Sequence, residues 1–142
     1  MFRKFSEIDI GEEIGRIERA VSLKEVEEFC ACWGSPGPNL FLSPEVARRQ
    51  GLPNPILPGP LCLVYMFQLL NQWAPGVQIK SLDVVLRQNI FHNVPIRMSG
   101  VVTDTSLQDG KGVVQIELKM ENLKGERLIG GTAVVTLPAD TQ

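Results

Sequence analysis

At residues 57–70 the chain reads Leu57-Pro58-Gly59-Pro60-Leu61-Cys62-Leu63-Val64-Tyr65-Met66-Phe67-Gln68-Leu69-Leu70. This is a loop of helix-breaking residues followed by a helix that is apolar on nearly every side. A helix without a solvated face must be covered by other elements. The segments that follow it have the alternation of short strands, so we expect a curled antiparallel sheet to wrap one long helix.

The start of this helix has the composition of a binding turn. Pro60 suits the first helical position, and Gly59 lets the backbone approach a neighbouring group closely. We expect the N–H groups of Leu61 and Cys62 to be free and, with the positive end of the helix dipole, to bind a carbonyl or anionic oxygen. The same residues also fit a core helix that simply begins well.

The composition indicates an ordinary globular protein. The chain has 142 residues, of which 44% are hydrophobic and 21% charged, with a formal net charge of -2. This length suits a single domain, and we predict one domain over residues 1–142. Because the sequence has no basic cluster, we expect neither a nucleic acid nor a membrane surface as partner.

Cellular location and metal binding follow from a few residues. The apolar helix is too short to cross a bilayer, and Met1-Phe2-Arg3-Lys4-Phe5 is not followed by an apolar segment, so we expect a cytoplasmic protein. The odd set of Cys30, Cys32 and Cys62 indicates reduced thiols, the first two on different faces of a helix. With His92 as the only histidine, we expect no metal site.

Turn residues and periodicity divide the chain into an edge strand, helices and a meander, which is an α+β order. Ser22 and Ser43 have the sequence context of helix caps, and Gly51 ends the second helix. The predicted helices are 23–33, 44–50 and 60–73, and the predicted strands are 14–19, 82–91, 95–106, 113–121 and 128–137. A sheet curled around one helix leaves a free edge, so we expect a dimer.

With the elements in this order, the chain resembles the hot-dog fold, and within it the MaoC-like branch that includes (R)-specific enoyl-CoA hydratases and acyl dehydratases. Phe5-Ser6-Glu7-Ile8-Asp9-Ile10-Gly11 is similar to the opening of that family, and Val94-Pro95-Ile96 with Gly100 is similar to one of its strand entries. The resemblance covers nearly the whole chain and implies a dimeric hot-dog domain that uses an acyl thioester and no cofactor.

The central motif of the family is altered in this sequence. The family pattern is Gly-Asp-x-Asn-Pro-x-His-x-Asp, a short helix, and an Ile-x-His-Gly turn. Here Ser35 stands at the first Asp position, Phe41 at the His position and Pro58 at the His of the turn, while Gly59 is kept. The loop is also about one residue longer than the pattern. The thioester-binding glycine therefore matches, and the catalytic dyad does not.

Adding water across an enoyl thioester needs one group to take a proton and one to give it. Neither Ser35 nor Phe41 can do this, so the ordinary hydratase mechanism cannot run on these residues. The other side chains with suitable chemistry each have a plainer interpretation, as a turn residue, a solvated charge or a thiol without a partner base; they are His92, Glu45, Asp83, Cys32 and Cys62.

The resemblance implies a substrate site around the turn at Gly59, which matches the family pattern. The expected substrate-binding residues are Gly59, Leu61, Leu57, Pro58, Asn39, Phe41 and Trp33, with the thioester carbonyl at Gly59 and the acyl chain along the apolar side chains. Lys80, Arg87 and Arg97 are the strand cations available for the phosphates of coenzyme A, although exposed strand cations are usually only solvated. The carrier is either coenzyme A or an acyl carrier protein.

Three functions fit these residues. The first is the pocket-forming, non-catalytic subunit of a heteromeric enoyl-CoA hydratase or acyl dehydratase, whose partner is a catalytic hot-dog paralogue. The second is a stand-alone thioesterase, or a hydratase that uses other residues, with the helix N–H groups stabilising an oxyanion. The third is a homodimer that binds acyl-CoA without turnover.

Overall fold

The computed structural model describes residues 3–34 and 37–138. A short 3-10 turn at Phe5–Glu7 precedes the regular elements. These are β1 (Glu13–Arg19), α1 (Leu23–Cys32), α2 (Pro44–Arg49), α3 (Gly59–Trp73), β2 (Gln78–Leu86), β3 (Ile96–Gln108), β4 (Lys111–Asn122) and β5 (Arg127–Pro138). The predicted α+β order is confirmed, and most boundaries differ from the predicted ones by one or two residues.

The five strands form one antiparallel sheet in the order β1-β3-β4-β5-β2. Alternate residues of β3 and β4 are buried, because a strand directs every second side chain to the same face. The buried face carries Ile96, Met98, Val102, Val114, Ile116, Leu118 and Met120, which form one core with the buried side of α3. The long central helix therefore lies against a single sheet, as the sequence predicts.

The sheet of this chain covers α3 incompletely, although the sequence of α3 is apolar on nearly every side. Leu61, Met66 and Leu70 face the core and are 5% exposed or less. Val64 and Phe67, on the other side of the helix, are each 37% exposed. One five-stranded sheet presents a single face to a helix, and the remaining apolar side faces outward.

Strand β2 occupies residues 78–86 and not the predicted 82–91. Its early start follows from pairing, since Gln78 lies opposite Thr136 and Ile79 opposite Val135. Its early end follows from a change of partner: Ile90 accepts a hydrogen bond from the N–H of Leu57 at 2.7 Å instead of continuing the ladder with β5. The apolar residues near position 90 thus belong to a loop that packs beside the start of α3.

A side-chain cluster joins β1, α1 and α3. Arg19 forms an ion pair with Glu25 at 2.7 Å and lies over the ring of Tyr65, 4.2 Å from its centroid. The hydroxyl of Tyr65 donates to the same carboxylate oxygen that pairs with Arg19, Glu25 Oε2, at 2.9 Å. Burial, followed by the hydrogen bond to Glu25, raises the pKa of Tyr65 to about 12, so the hydroxyl keeps its proton.

Replacing Tyr65 with phenylalanine removes the hydroxyl and keeps the ring beneath Arg19. We expect the free energy of unfolding to fall by about 1 kcal/mol, the usual net contribution of one hydrogen bond. Urea unfolding of Tyr65→Phe measures this, with Leu123→Ala, at an exposed turn position, as the control that should change little. Equal midpoints for Tyr65→Phe and the unmodified chain would show that this hydrogen bond does not stabilise the fold.

Candidate functional site

Helix α3 begins one residue earlier than predicted, and this changes which backbone N–H groups at its N-terminus are free. Pro58 is the N-cap, Gly59 the first helical residue and Pro60 the second. The carbonyl of Pro58 accepts from the N–H of Leu61 at 3.1 Å and from that of Cys62 at 3.3 Å. The expectation that Leu61 and Cys62 offer free N–H groups is therefore wrong.

One free donor remains at this helix start. Within the described part of the chain the N–H of Gly59 has no hydrogen-bond acceptor, and Pro60 has no N–H. The positive end of the α3 dipole adds to the attraction that this N–H exerts on an oxygen. The arrangement suits a single carbonyl oxygen better than a phosphate, which needs several donors.

Gly59 is also open to its surroundings. A Cβ atom built on Gly59 would meet no atom within 4 Å, and its φ is not positive. The other glycines either have a positive φ or would bring a Cβ against a neighbouring atom at 3.1 Å or closer. Neither a positive φ nor a neighbour distant in sequence therefore requires glycine at position 59, although the following Pro60 disfavours a side chain on a helical residue.

The apolar residues expected beside Gly59 fall into two groups. Leu57 and Leu61 are buried core residues, 4% and 5% exposed, and Pro58 is buried as well. Trp33 is 50% exposed and packs against Phe29 with ring centroids 5.5 Å apart. Leu57 and Leu61 are thus core residues next to the turn, whereas half of the Trp33 surface is exposed to solvent.

The loop that resembles the catalytic motif is ordered by Asn39. Its Oδ1 atom accepts from the N–H of Phe41 at 2.9 Å and from that of Leu42 at 3.1 Å. Phe41 is half-buried and packs against the core. Ser43 then caps α2, accepting from the N–H of Val46. Asn39 therefore holds the loop, and Ser35, at the other dyad position, lies outside the described residues.

The structure does not bring the three expected phosphate-binding cations together. Arg97 is committed to Glu18, with hydrogen-bond and ion-pair distances of 3.0 and 2.9 Å. Lys80 lies on β2, three strand spacings from β3 and so about 14 Å away across the sheet. Arg87 follows β2 and is exposed. A single phosphate cannot contact all three.

The alternative proton-transfer residues have ordinary surroundings, His92 excepted. Glu45 is exposed and pairs with Arg49 at 2.7 Å, and Asp83 is exposed on β2. Burial raises the pKa of the Cys62 thiol to about 11, so it does not form a nucleophilic thiolate near neutral pH. Cys30 is buried and Cys32 is exposed, so the prediction that these two residues lie on different faces of the helix is confirmed.

His92 lies in a turn, as expected, but is half-buried. Burial lowers its pKa, and the nearby backbone of Phe41 and of Ile56 partly opposes that effect. Its Nε2 atom is buried and has no hydrogen-bond partner among the described residues. The neutral imidazole is therefore the form at pH 7. No sequence pattern pointed to these contacts, because they join residues far apart in the chain.

Two further results concern metals and membranes. Among residues 3–34 and 37–138, no three His, Cys, Asp or Glu side chains lie close enough to hold a metal ion. In the same ranges, no helix has the length and apolar character needed to span a membrane.

Comparison with solved structures assigns the fold. No protein-family model and no curated protein matches the chain. The (R)-hydratase from A. caviae involved in PHA biosynthesis is similar with a TM-score of 0.82 at 23% identity, over 92% of this chain and 98% of that one. The MaoC-like dehydratase from Rhodospirillum rubrum is similar with a TM-score of 0.83 at 14% identity, over 100% and 99%. This chain has the hot-dog fold.

Assemblies of two different hot-dog chains occur among the similar structures. The ChsH1-ChsH2 complex from Mycobacterium tuberculosis contains a chain with a TM-score of 0.75 at 16% identity, covering 93% of this chain and 98% of that one. The similar structures include MaoC-like dehydratases and (R)-hydratases, which agrees with the resemblance seen in the sequence.

Proposed function

We propose that this hot-dog protein binds an acyl thioester, carried by coenzyme A or an acyl carrier protein, at the start of α3. We further propose that it is the pocket-forming, non-catalytic subunit of a heteromeric enoyl-CoA hydratase or acyl dehydratase. The observation that carries the binding proposal is Gly59, whose N–H is unbonded and whose missing side chain leaves open space beside it. A glycine there keeps the N–H accessible to a carbonyl oxygen.

The non-catalytic role rests on the proton chemistry that is missing. Phe41 stands where the family has histidine and has no group that exchanges a proton. The Cys62 thiol stays protonated, and the buried Nε2 of His92 is not exposed to a substrate water. An acid and a base for hydration must then come from another chain, each contributing roughly 10²–10⁴-fold in rate.

Two surfaces of this chain are available to bind a partner chain. No strand of the described residues pairs with the outer edge of β2, which is nine residues long. Val85, near its end, is 58% exposed, and α3 leaves Val64 and Phe67 partly uncovered. Unpaired edges and exposed apolar side chains are the usual sites of association between subunits. The complex of two hot-dog chains among the similar structures supports an unlike partner.

Placing a lysine on this edge is expected to weaken association, because a charge at an edge strand opposes pairing. We expect the unmodified chain to run as a dimer at micromolar concentration and Val85→Lys to shift towards the monomer. Light scattering after gel filtration measures this, with Leu107→Lys, at an exposed position away from β2, as the matched control. Identical masses for both variants, alone and with a coexpressed hot-dog partner, would contradict the assignment of this edge to an interface, and a monomeric unmodified chain would contradict the expected dimer of this chain with itself.

Coexpression tests the heteromeric role. The tagged chain is expressed with a hot-dog paralogue that carries both the Asp and the His of the family motif, and the purified material is assayed for enoyl-CoA hydration. We expect the two chains to copurify and the mixture to be active. Release of free thiol from acyl-CoA by this chain alone would support a thioesterase instead, and binding without turnover in both preparations would support a non-enzymatic role.

A further inference from the structure

The face of the sheet opposite α3 contains a cleft of about 330 Å³. Three cations from three strands line it, and they are Arg16 of β1, Lys119 of β4 and Arg127 of β5. Ser99 of β3 lies in the same cleft, because β3 is the strand between β1 and β4. Cations that are far apart in the sequence therefore meet in one depression.

Small residues create this depression. Ser99 pairs with Lys119, and Lys119 with Gly130, so this row of the sheet has one long side chain between two short ones. The side chain of Arg127 lies across Gly130, where a Cβ atom would be 3.1 Å from Arg127 Cδ. The Nη1 atom of Arg127 comes within 4.0 Å of Glu117 on β4. The guanidinium is therefore directed from β5 towards β4, to the middle of the sheet.

A bulge in β1 places Arg16 beside the same row. The register of β1 against β3 shifts so that Gly15 and Arg16 together lie opposite Ser99. Gly15 has a φ of +53°, and a Cβ atom there would lie 2.6 Å from Leu69 Cδ1 of α3. Both the backbone and the helix thus require glycine at this position. Bulges change the direction of neighbouring side chains, and Arg16, next to the bulge glycine, lines the cleft.

The three cations form no close ion pairs. Among the described residues, no carboxylate lies within 4.0 Å of the Arg16 guanidinium. Lys119 Nζ is 3.8 Å from Glu121, and Arg127 Nη1 is 4.0 Å from Glu117. The other arginine ion pairs in the described part of the chain are 2.9 Å or shorter. The cations of the cleft therefore keep donors for a bound anion.

The donors of the cleft suit a phosphate group. A phosphate ester offers three acceptor oxygens that point in different directions, whereas a carboxylate offers two in one plane. Arginine binds phosphate through parallel hydrogen bonds, and lysine adds a point charge. Glu13 and Glu117 also line the cleft and repel further phosphates, which disfavours a polyanion such as a nucleic acid. The volume is typical of a small-molecule site.

We propose that this cleft binds one phosphate group, either as the free ion or as the phosphate ester of a small molecule. Ser99 and Lys119, adjacent on β3 and β4, contact the oxygens from the sheet, and Arg16 and Arg127 reach them from either side. The cleft lies on the face of the sheet opposite α3. It is therefore separate from the Gly59 turn and does not rest on the proposed function.

Titration calorimetry with inorganic phosphate, adenosine 5′-monophosphate and adenosine tests the proposal. The cleft variants are Arg16→Gln and Lys119→Gln, each of which removes one charge from a side chain that is not buried. Arg48→Gln is the matched control, because Arg48 of α2 is exposed and forms no ion pair among the described residues. Circular dichroism melting reports whether each variant folds, and Lys119→Gln still decides should Arg16→Gln not fold.

We expect a Kd of about 1 mM or lower for at least one of the two phosphate compounds, and no binding of adenosine. Each cleft variant should raise this Kd about tenfold, as for the loss of one charge-assisted hydrogen bond, while Arg48→Gln leaves it unchanged. Glu117→Gln should lower the Kd, whereas Glu28→Gln, at an exposed position of α1, should not. Tighter binding of adenosine 5′-monophosphate than of inorganic phosphate indicates an ester, and the reverse order indicates the free ion.

A Kd above about 10 mM for both phosphate compounds overturns the proposal. Equal weakening in Arg48→Gln and in the cleft variants also overturns it, since binding then follows only the net charge. Amide chemical shifts in NMR spectra locate the bound phosphate, and we expect the largest changes at Ser99 and Gly130. Changes confined to the Gly59 turn would contradict the cleft. Failure of octanoyl-CoA to bind would overturn the proposed function and leave this site unaffected.

Discussion

Replacing Gly59 with valine should abolish most acyl-CoA binding while leaving the fold intact. The branched side chain enters the open space that a Cβ at this position faces, and so obstructs access to the one free N–H at the start of α3. Although φ is not positive there, a branched residue before Pro60 is disfavoured in the helical region, so we expect some loss of stability, which the melting measurement below reports. We expect the Kd for octanoyl-CoA to rise at least about tenfold, equivalent to losing one hydrogen bond to the thioester carbonyl.

The matched control introduces the same residue elsewhere on the same helix. Gln68→Val lies at an exposed position of α3, about 13 Å along the axis from Gly59, and should bind normally. Calorimetric titration measures binding, and circular dichroism melting confirms that both variants fold. Undiminished affinity in a folded Gly59→Val protein would show that the carbonyl does not bind at this turn.

Restoring the dyad side chains should fail to create a proficient hydratase. In the double variant Ser35→Asp/Phe41→His we expect crotonyl-CoA hydration to stay below about 1% of that of a dyad-bearing hydratase, since ångström-scale misplacement alone costs about 10²-fold. Asn39 fixes the backbone of the loop at Phe41, whose side chain packs against the core. A histidine directed there is buried among apolar side chains, which lowers its pKa and disfavours its protonated form.

The single variants Ser35→Asp and Phe41→His, together with Phe41→Leu, are the controls for this experiment. Phe41→Leu keeps an apolar side chain and should be as inactive as the unmodified chain. Hydration by the double variant at a rate near that of a dyad-bearing hydratase would mean that the longer loop does not displace these positions.

Patterns that depend on neighbouring residues were sufficient to predict most of the fold. The alternation in β3 and β4 and the serine caps of α1 and α2 gave elements close to the observed ones. The end of β2 was wrong because it depends on Ile90 bonding to Leu57, a contact between distant residues. Which side of α3 is uncovered does not follow from its sequence, because apolar residues do not reveal whether their cover comes from the same chain.

In the candidate site, too, features that depend on neighbouring residues were predicted and those that depend on distant contacts were not. The sequence indicated a binding turn at Gly59 with the helix starting at Pro60, but it placed the free donors at Leu61 and Cys62, which bond to Pro58. A shift of the helix start by one residue changed which N–H groups are free. Composition does not fix helix boundaries to within one residue. The burial of His92 Nε2 and the hydrogen bond of Tyr65 to Glu25 arise only in three dimensions.

The most direct test measures crotonyl-CoA hydration by the purified chain, first alone and then coexpressed with a hot-dog chain that carries both dyad residues. The account predicts no detectable hydration by the chain alone and, in the copurified mixture, a rate at least about 10²-fold above the detection limit. Rapid, reversible hydration by the chain without a partner would contradict it.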